Sequence, residues 1–180
     1  MNVVEPIRNL DELKKIECYL FQKNKRDFLI FLVGINWGLR ISDILSLNVK
    51  DVKNKDNVVL RERKTGKNKK IPINSKLKSV LNEYIKYRHE DEPLFLSKKN
   101  NRMERTQCYR IINSACQNVG INLRVGTHTL RKTFGYHYYK KFKDIVMLQK
   151  ILNHSTPEIT LRYIGIEQET IENSYNKFIL

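Results

Sequence analysis

Cysteine is too scarce and too scattered in this chain to build a framework. Cys18, Cys108 and Cys116 are odd in number, and none stands in the C-x-x-C pairing that marks zinc or dithiol redox sites. Cys108 and Cys116 fall in one predicted helix, where their spacing puts them roughly 12 Å apart, too far for a disulfide. All three read as reduced thiols of an intracellular protein. Glycine and proline are also few, seven and four in 180 residues, and no low-complexity linker or internal repeat interrupts the chain. No stretch approaches the ~20 apolar residues needed to span a bilayer, and the start Met-Asn-Val-Val-Glu-Pro has no basic segment followed by an apolar run. Neither membrane insertion nor secretion is indicated.

What is present is a basic chain with enough apolar residues for one sizeable core. Hydrophobic residues make up 41%, which at this length predicts a single globular domain. Thirty-four Lys and Arg stand against 19 Asp and Glu, a formal charge of +15. That excess points to a polyanionic partner, because each phosphate neutralised by Lys or Arg releases counterions condensed on nucleic acid. Charge alone does not separate a nucleic-acid enzyme from a ribosomal or membrane-surface protein.

Periodicity predicts mostly helix. Asn9 followed by Glu12 makes a capping-box start, and Leu10, Leu13, Ile16, Leu20 and Phe21 recur at helical spacing up to about Lys23. A second apolar stretch, Phe28 to Trp37, ends at Gly38, which bends the chain and leaves Arg40 at a junction before another turn or two through Ile41, Ile44 and Leu47. Val58 to Leu60 and Ile71 with Ile73 read as short strands around Lys64-Thr65-Gly66-Lys67, which has turn chemistry. Ser75 and Thr106 are candidate caps for two further helices, the second stopping at Gly120. The last third reads as helices over Thr127–Lys141 and Asp144–Leu152, a short one from Thr156, and one from about Glu167 to Phe178. Thr156-Pro157-Glu158 supplies a cap, a first-turn proline and a first-turn acid.

Four places carry polar residues that could do chemistry, and each alone is unremarkable. His128 and Arg131, three apart at a helix start, share one face, as many exposed pairs do. His154 sits at a corner between helices, where it could simply bond backbone. Tyr163 lies about two turns into the next helix, one tyrosine among nine. Arg40 is followed by Asp43, which could pair with it for local structure.

Taken in order, the blocks G-L-R-I-S-D-I-L-S-L, R-K-T-G-K, H-T-L-R-K-T-F and L-N-H-S-T-P-E-I-T-L-R-Y resemble the tyrosine recombinase (phage integrase) family over about Val4 to Ile166. Their joint occurrence is far more specific than any one of them. The resemblance implies an α+β fold, mainly α-helical with one small antiparallel three-stranded sheet. Residues 1–8 are then linker-like, residues 9–180 form the catalytic domain with a C-terminal helix over 167–180, and the family's N-terminal DNA-clamping domain is absent. It further implies cutting and rejoining of double-stranded DNA through a 3′-phosphotyrosyl link, without metal or nucleotide cofactor, by a homo-oligomer that is a tetramer in the synaptic complex. The setting implied is cytoplasmic and DNA-associated, with no membrane partner.

Carried onto this sequence, Tyr163 is the nucleophile, Arg40 and Arg131 hold the phosphate, and His128 accepts the tyrosine proton. His154 donates to the phosphate, and Lys64 protonates the departing 5′-oxygen. Asp43 would orient Arg40 or His128 without touching DNA. Asn153 departs from the family's usual Gly before the histidine, though Asn also tolerates a left-handed turn. Arg61, Arg63, Lys67, Lys69, Lys70, Lys98, Lys99, Arg102, Arg105 and Arg110 form the basic surface expected to meet the DNA backbone, positioning rather than reading sequence. The amphipathic end with Tyr175, Phe178, Ile179 and Leu180 packs either on its own domain or on a neighbouring protomer. Two rival readings are a type IB topoisomerase, with the same tyrosine chemistry, and a catalytically silent DNA-binding relative.

Overall fold

The computed structural model describes residues 4–178. Two apolar clusters organise the chain, and Arg131 of the H-T-L-R block stands where they meet. The larger is built on α1 (Leu10–Lys23) and α2 (Lys25–Trp37). Asn9 starts α1 by accepting the Asp11 and Glu12 N–H groups at 2.7 and 3.4 Å. Asn24 ends α1 through its own N–H to Leu20 O, and its side chain starts α2 by accepting from the Arg26 and Asp27 amides. Six consecutive residues of α2, Phe28 to Val33, are buried. A helix apolar all round must be surrounded, and α2 packs against α1, α4 (Ser75–Ile85), α5 (Arg105–Asn118) and α6 (Thr129–Phe142).

Gly38 ends α2 in the left-handed region at φ 59°. A Cβ there would also stand 2.4 Å from Phe134 Cδ1, so both backbone and packing require glycine. The chain then turns through Leu39 and Arg40 into α3 (Ile41–Ile44), which carries Asp43.

Among the described residues the sheet has two strands, β1 (Asn57–Arg61) and β2 (Asn68–Pro72), antiparallel from Asn57 opposite Pro72 to Arg61 opposite Asn68. Among the described residues the expected third strand is not formed. Outside the hairpin, Asn48 with Pro93 and Leu96 with Arg102 are isolated bridges. Pro93 has no N–H to extend a ladder, and the backbone after Asn48 closes into a 3-10 turn over Val49–Asp51.

Two helix starts also differ from expectation. Asn74, not Ser75, caps α4 by accepting the Leu77 N–H at 2.9 Å. Glu104, not Thr106, caps α5, and its own N–H donates to Gln107 Oε1 at 3.1 Å. Cys108 and Cys116 are buried on α5, and burial pushes their thiols up, to about 12 and about 11, where they stay protonated.

The smaller cluster, Tyr136, Leu148, Leu152, Ile164 and Ile166, joins α6 to α7 (Ile145–Leu152) and α8 (Pro157–Ile164). Asp144 and Thr156 cap α7 and α8, and Asn153 closes α7 in the left-handed region at φ 53°. Gly165 turns the chain into α9 (Ile166–Lys177), tied to α6 by the Lys140–Glu169 ion pair. Ile166 is the buried residue of α9, whereas Tyr175 and Phe178 are 78% and 70% exposed. The described part of the apolar end therefore does not pack on its own domain. Ile179 and Leu180 lie outside the described residues. No helix among those described is long and apolar enough to cross a membrane.

Candidate active site

Arg131 stands at the seam between the two clusters. It is only 2% exposed, and its guanidinium donates to Gly38 O at 2.9 Å and to Leu152 O. The ends of α2 and α7 leave carbonyls without helical partners, and one planar cation satisfies both. The residue expected to bind phosphate is thus also the clasp that joins the two halves of the site.

His128 is the N-cap residue of α6, and α8 brings Tyr163 to it: Nδ1 lies 3.2 Å from the tyrosine Oη. The Tyr163 ring meets the His154 ring edge-on at 4.8 Å between centroids, and Lys132 Nζ lies 5.2 Å from its centre. Burial pushes the phenol up to about 12, against the pull of Arg131 and Arg40, which favour the phenolate. Partial burial, with the charges of Arg131, Lys132, Arg40 and Lys64, pushes His128 down from the ordinary histidine value. A neutral imidazole therefore faces a protonated phenol, the state in which one can accept a proton from the other.

His154 follows Asn153 at the α7–α8 corner, where its N–H donates to Gln149 O and its Nδ1 lies 3.1 Å from Thr160 Oγ1. Burial and the charges of Arg131 and Arg40 push its imidazolium down to about 4. The sign of the stability effect follows. Between the ordinary value of 6.5 and about 4, the unfolded chain takes up a proton that the folded chain refuses. The contribution of His154 to stability should thus be level above about pH 6.5 and fall as pH drops towards 4. A His154→Gln variant is expected to lose less stability than the parent in urea melts taken from about pH 7.5 to about pH 5. Equal losses would contradict a neutral His154.

Arg40 and Lys64 meet His128 across an open cleft of 380 Å³, which Arg63 and Arg105 also line. Arg40 is held by an ion pair to Glu62 at 3.1 Å, yet its buried Nη1 makes no well-directed hydrogen bond. Lys64 is exposed at the tip of the β1–β2 hairpin.

Three expected roles are displaced. Asp43 reaches neither Arg40 nor His128 by a hydrogen bond; fully buried, it accepts the Arg63 N–H at 3.0 Å and so anchors the hairpin. Arg102 is turned inward, donating to Leu45 O, Leu47 O and Asn48 Oδ1, so its guanidinium is spent on structure. Lys69 is largely buried, donating to Ile151 O at 2.5 Å with Glu62 at 3.7 Å, and burial lowers its pKa. Arg61, Arg63, Lys67, Lys70, Lys98, Lys99, Arg105 and Arg110 remain exposed.

Sequence reasoning missed Glu62, which is 1% exposed. Burial opposes its ionisation, but hydrogen bonds from Asn153 and Thr65 and the charges of Lys69 and Arg40 prevail and hold it at about 2. Its signal was being the lone acid in Arg61–Lys70. Thr160, which holds His154, carried no signal apart from its helical spacing.

The model of the phage integrase family matches residues 8–169. The probable integrase/recombinase YoeC of Bacillus subtilis (strain 168) is 50% identical over 179 residues, covering 99% of this chain and 98% of that protein. The tyrosine recombinase XerA of Pyrococcus horikoshii is 31% identical over 172 residues, covering 93% of this chain but only 59% of its own length. A crystal structure of XerA recombinase superposes with a TM-score of 0.77 at 22% identity, covering 96% of this chain and 63% of that one, which shows a shared fold. A lambda integrase dimer bound to a COC′ core site does so at 0.72 and 18%, covering 90% of this chain and 48% of that one. By sequence over most of its length and by fold, the chain belongs to the phage integrase family, in which its relatives include a probable integrase/recombinase and proteins named tyrosine recombinases.

Proposed function

We propose that this chain cuts and rejoins double-stranded DNA as a site-specific recombinase, with Tyr163 as nucleophile. The observation that carries the reading is the contact of Tyr163 Oη with His128 Nδ1, beside His154 and Arg131 and next to the cleft lined by Arg40 and Lys64.

The chemistry follows from those groups. Tyr163 Oη attacks the scissile phosphorus while His128 Nδ1 takes its proton, a necessary step because a phenol held near 12 is scarcely ionised at neutral pH. The phosphorus–O5′ bond breaks, Lys64 protonates the leaving oxygen, and the strand is left joined to the enzyme through its 3′-phosphate. Attack by the same 5′-hydroxyl or one from a partner duplex reverses the step, so the bond energy is kept. Arg40 and Arg131 donate to the non-bridging oxygens, where charge accumulates in the transition state. The Thr160 hydroxyl, which lies 3.1 Å from His154 Nδ1 and donates to Thr156 O at 3.2 Å, holds the His154 ring in place as a phosphate donor.

Arg61, Arg63, Lys67, Lys70, Lys98, Lys99, Arg105 and Arg110 would contact the backbone, and binding would weaken steeply with salt. The exposed Tyr175 of α9 and Phe178 just after it support docking on a second copy, in a tetramer on DNA. The solved lambda integrase tetramer bound to a Holliday junction has the same fold. The setting would be the cytoplasm.

The test is covalent capture. A pool of randomised duplexes, nicked so that the cleaved end diffuses away, should leave strands bound to protein in SDS, each through a 3′-phosphate with a new 5′-hydroxyl. Captured duplexes cloned in pairs should then exchange flanking DNA. Adducts with plasmid relaxation but no exchange would favour a topoisomerase, and no adduct would favour a silent relative.

A further inference from the structure

The buried carboxylate of Glu62 is not used by the mechanism above, and Asn153 stands where the family usually has Gly. The two meet. Asn153 Nδ2 donates to Glu62 Oε2 at 3.0 Å and lies 3.2 Å from Thr65 Oγ1, which itself donates to Glu62 Oε2 at 2.7 Å. Asn153 Oδ1 accepts from Lys67 Nζ at 3.2 Å. Glu62 and Thr65 flank Lys64 within the hairpin, whereas Asn153 immediately precedes His154 at the α7–α8 corner.

We infer that Asn153, Glu62 and Thr65 form a latch that holds the Lys64 hairpin against the His154 corner before DNA arrives, and that they are positioning residues for proton transfer by Lys64. A hairpin tip is otherwise mobile on the timescale of loops, and a general acid is effective only when held within hydrogen-bond reach of its target. A glycine at position 153 would keep the left-handed turn, since φ there is 53°, but would remove the tie to the His154 corner and leave the polar ties of Lys69, Asp43 and the Arg40–Glu62 pair. Glu62 adds a second function to the latch. Its ion pair with Arg40 means that the carboxylate gripping the hairpin also orients a phosphate-binding cation. The second half of the inference rests on the assignment of Lys64 as general acid; the first half does not.

The test has two readouts on the variants Asn153→Gly and Glu62→Gln. The first needs no DNA: amide exchange at Arg63, held by Asp43, and at Gly66, held by Glu62 O, should quicken roughly ten-fold in Asn153→Gly, while core amides of α2 stay unchanged. Unchanged exchange at those two amides overturns the latch. The second uses duplexes recovered by covalent capture, made with oxygen or with sulfur at the bridging 5′ position. A thiolate leaves without a proton, so adduct formation should be about ten-fold or more slower than wild type for both variants on the oxygen duplex; on the sulfur duplex Asn153→Gly should return to near the wild-type rate, and Glu62→Gln, which also loses the ion-pair partner of Arg40, should recover only in part. Lys64→Ala is the reference. If sulfur restores Lys64→Ala but neither latch variant, the latch residues do not act through the lysine. If sulfur fails to restore Lys64→Ala itself, the general-acid assignment fails, and amide exchange alone decides whether the latch exists. The gain of flexibility in Asn153→Gly without backbone strain separates positioning from simple destabilisation.

Discussion

Tyr163→Phe is expected to lower covalent adduct formation on the order of 10⁵-fold or more, to the floor of the assay, because it removes the attacking atom and nothing else in the pocket can replace it. The change should cost the fold little. The hydroxyl meets His128 Nδ1 at 3.2 Å with the Arg131 guanidinium beside it, and a single such bond is worth about 0.5–1.5 kcal/mol. The ring keeps its edge contact with His154 and its place against the smaller apolar cluster. DNA affinity should be unchanged, because Arg40, Arg131 and the basic surface remain. Urea melts and gel shifts on the same preparation check this. A phenylalanine variant that still forms the adduct would move the nucleophile elsewhere, and one that fails to fold would show that the hydroxyl holds more than the contact with His128.

The second large effect concerns Arg131, where function and stability cannot be separated by a single substitution. In Arg131→Ala the carbonyls of Gly38 and Leu152 lose their donor inside the protein. Two buried acceptors left bare, with the cavity around them, should cost roughly 3–5 kcal/mol. That is a large part of the stability of a domain this size. Below its lowered melting point the variant should also be inactive, since a guanidinium facing the phosphate oxygens supplies at least about 10²-fold of rate. Arg131→Lys divides the two roles. An ammonium keeps the charge but cannot span both carbonyls with a rigid fork, so stability should fall by less while activity still falls sharply. The prediction fails if Arg131→Ala melts like the parent, because the guanidinium would then not join the ends of α2 and α7.

Much of this was readable from local chemistry. Asn9, Gly38, Thr156 and Asn153 act on the backbone within a few residues of themselves, so helix ends at these positions follow from the residue type. Competing caps are harder. Asn74 beside Ser75 and Glu104 beside Thr106 are neighbouring candidates, and the choice between them depends on where the preceding chain approaches the helix. The third strand was expected from a family likeness, whereas Pro93 and the turn after Asn48 limit pairing there to a single bridge.

The site divides in the same way. Arg40, Lys64, His128, Arg131, His154 and Tyr163 are visible as an ordered set of motifs, although nothing local distinguishes Tyr163 among nine tyrosines. What the motifs cannot carry is which polar groups are turned inward. Lys69 and Arg102 look like neighbours of Lys70 and Arg105 in a basic surface. Both are instead drawn inside by carbonyls that lie far away in sequence, Ile151 O for Lys69 and the Leu45 and Leu47 carbonyls for Arg102. Glu62 is hidden for the same reason. A lone acid in a run of bases reads as a solvated charge until the fold places Arg40, Lys69 and Asn153 around it.

The most direct test of the central claim is to locate the DNA on the protein. Trypsin should cut the captured adduct after Arg162 and after Lys177, giving the peptide Tyr163–Lys177, which contains two tyrosines, Tyr163 at its first position and Tyr175 near its end. After nuclease trimming, fragmentation spectra should place a 3′-linked phosphonucleotide on Tyr163, and the same peptide from Tyr163→Phe should carry none. A nucleotide on Tyr175, or on any residue outside this peptide, would contradict the account.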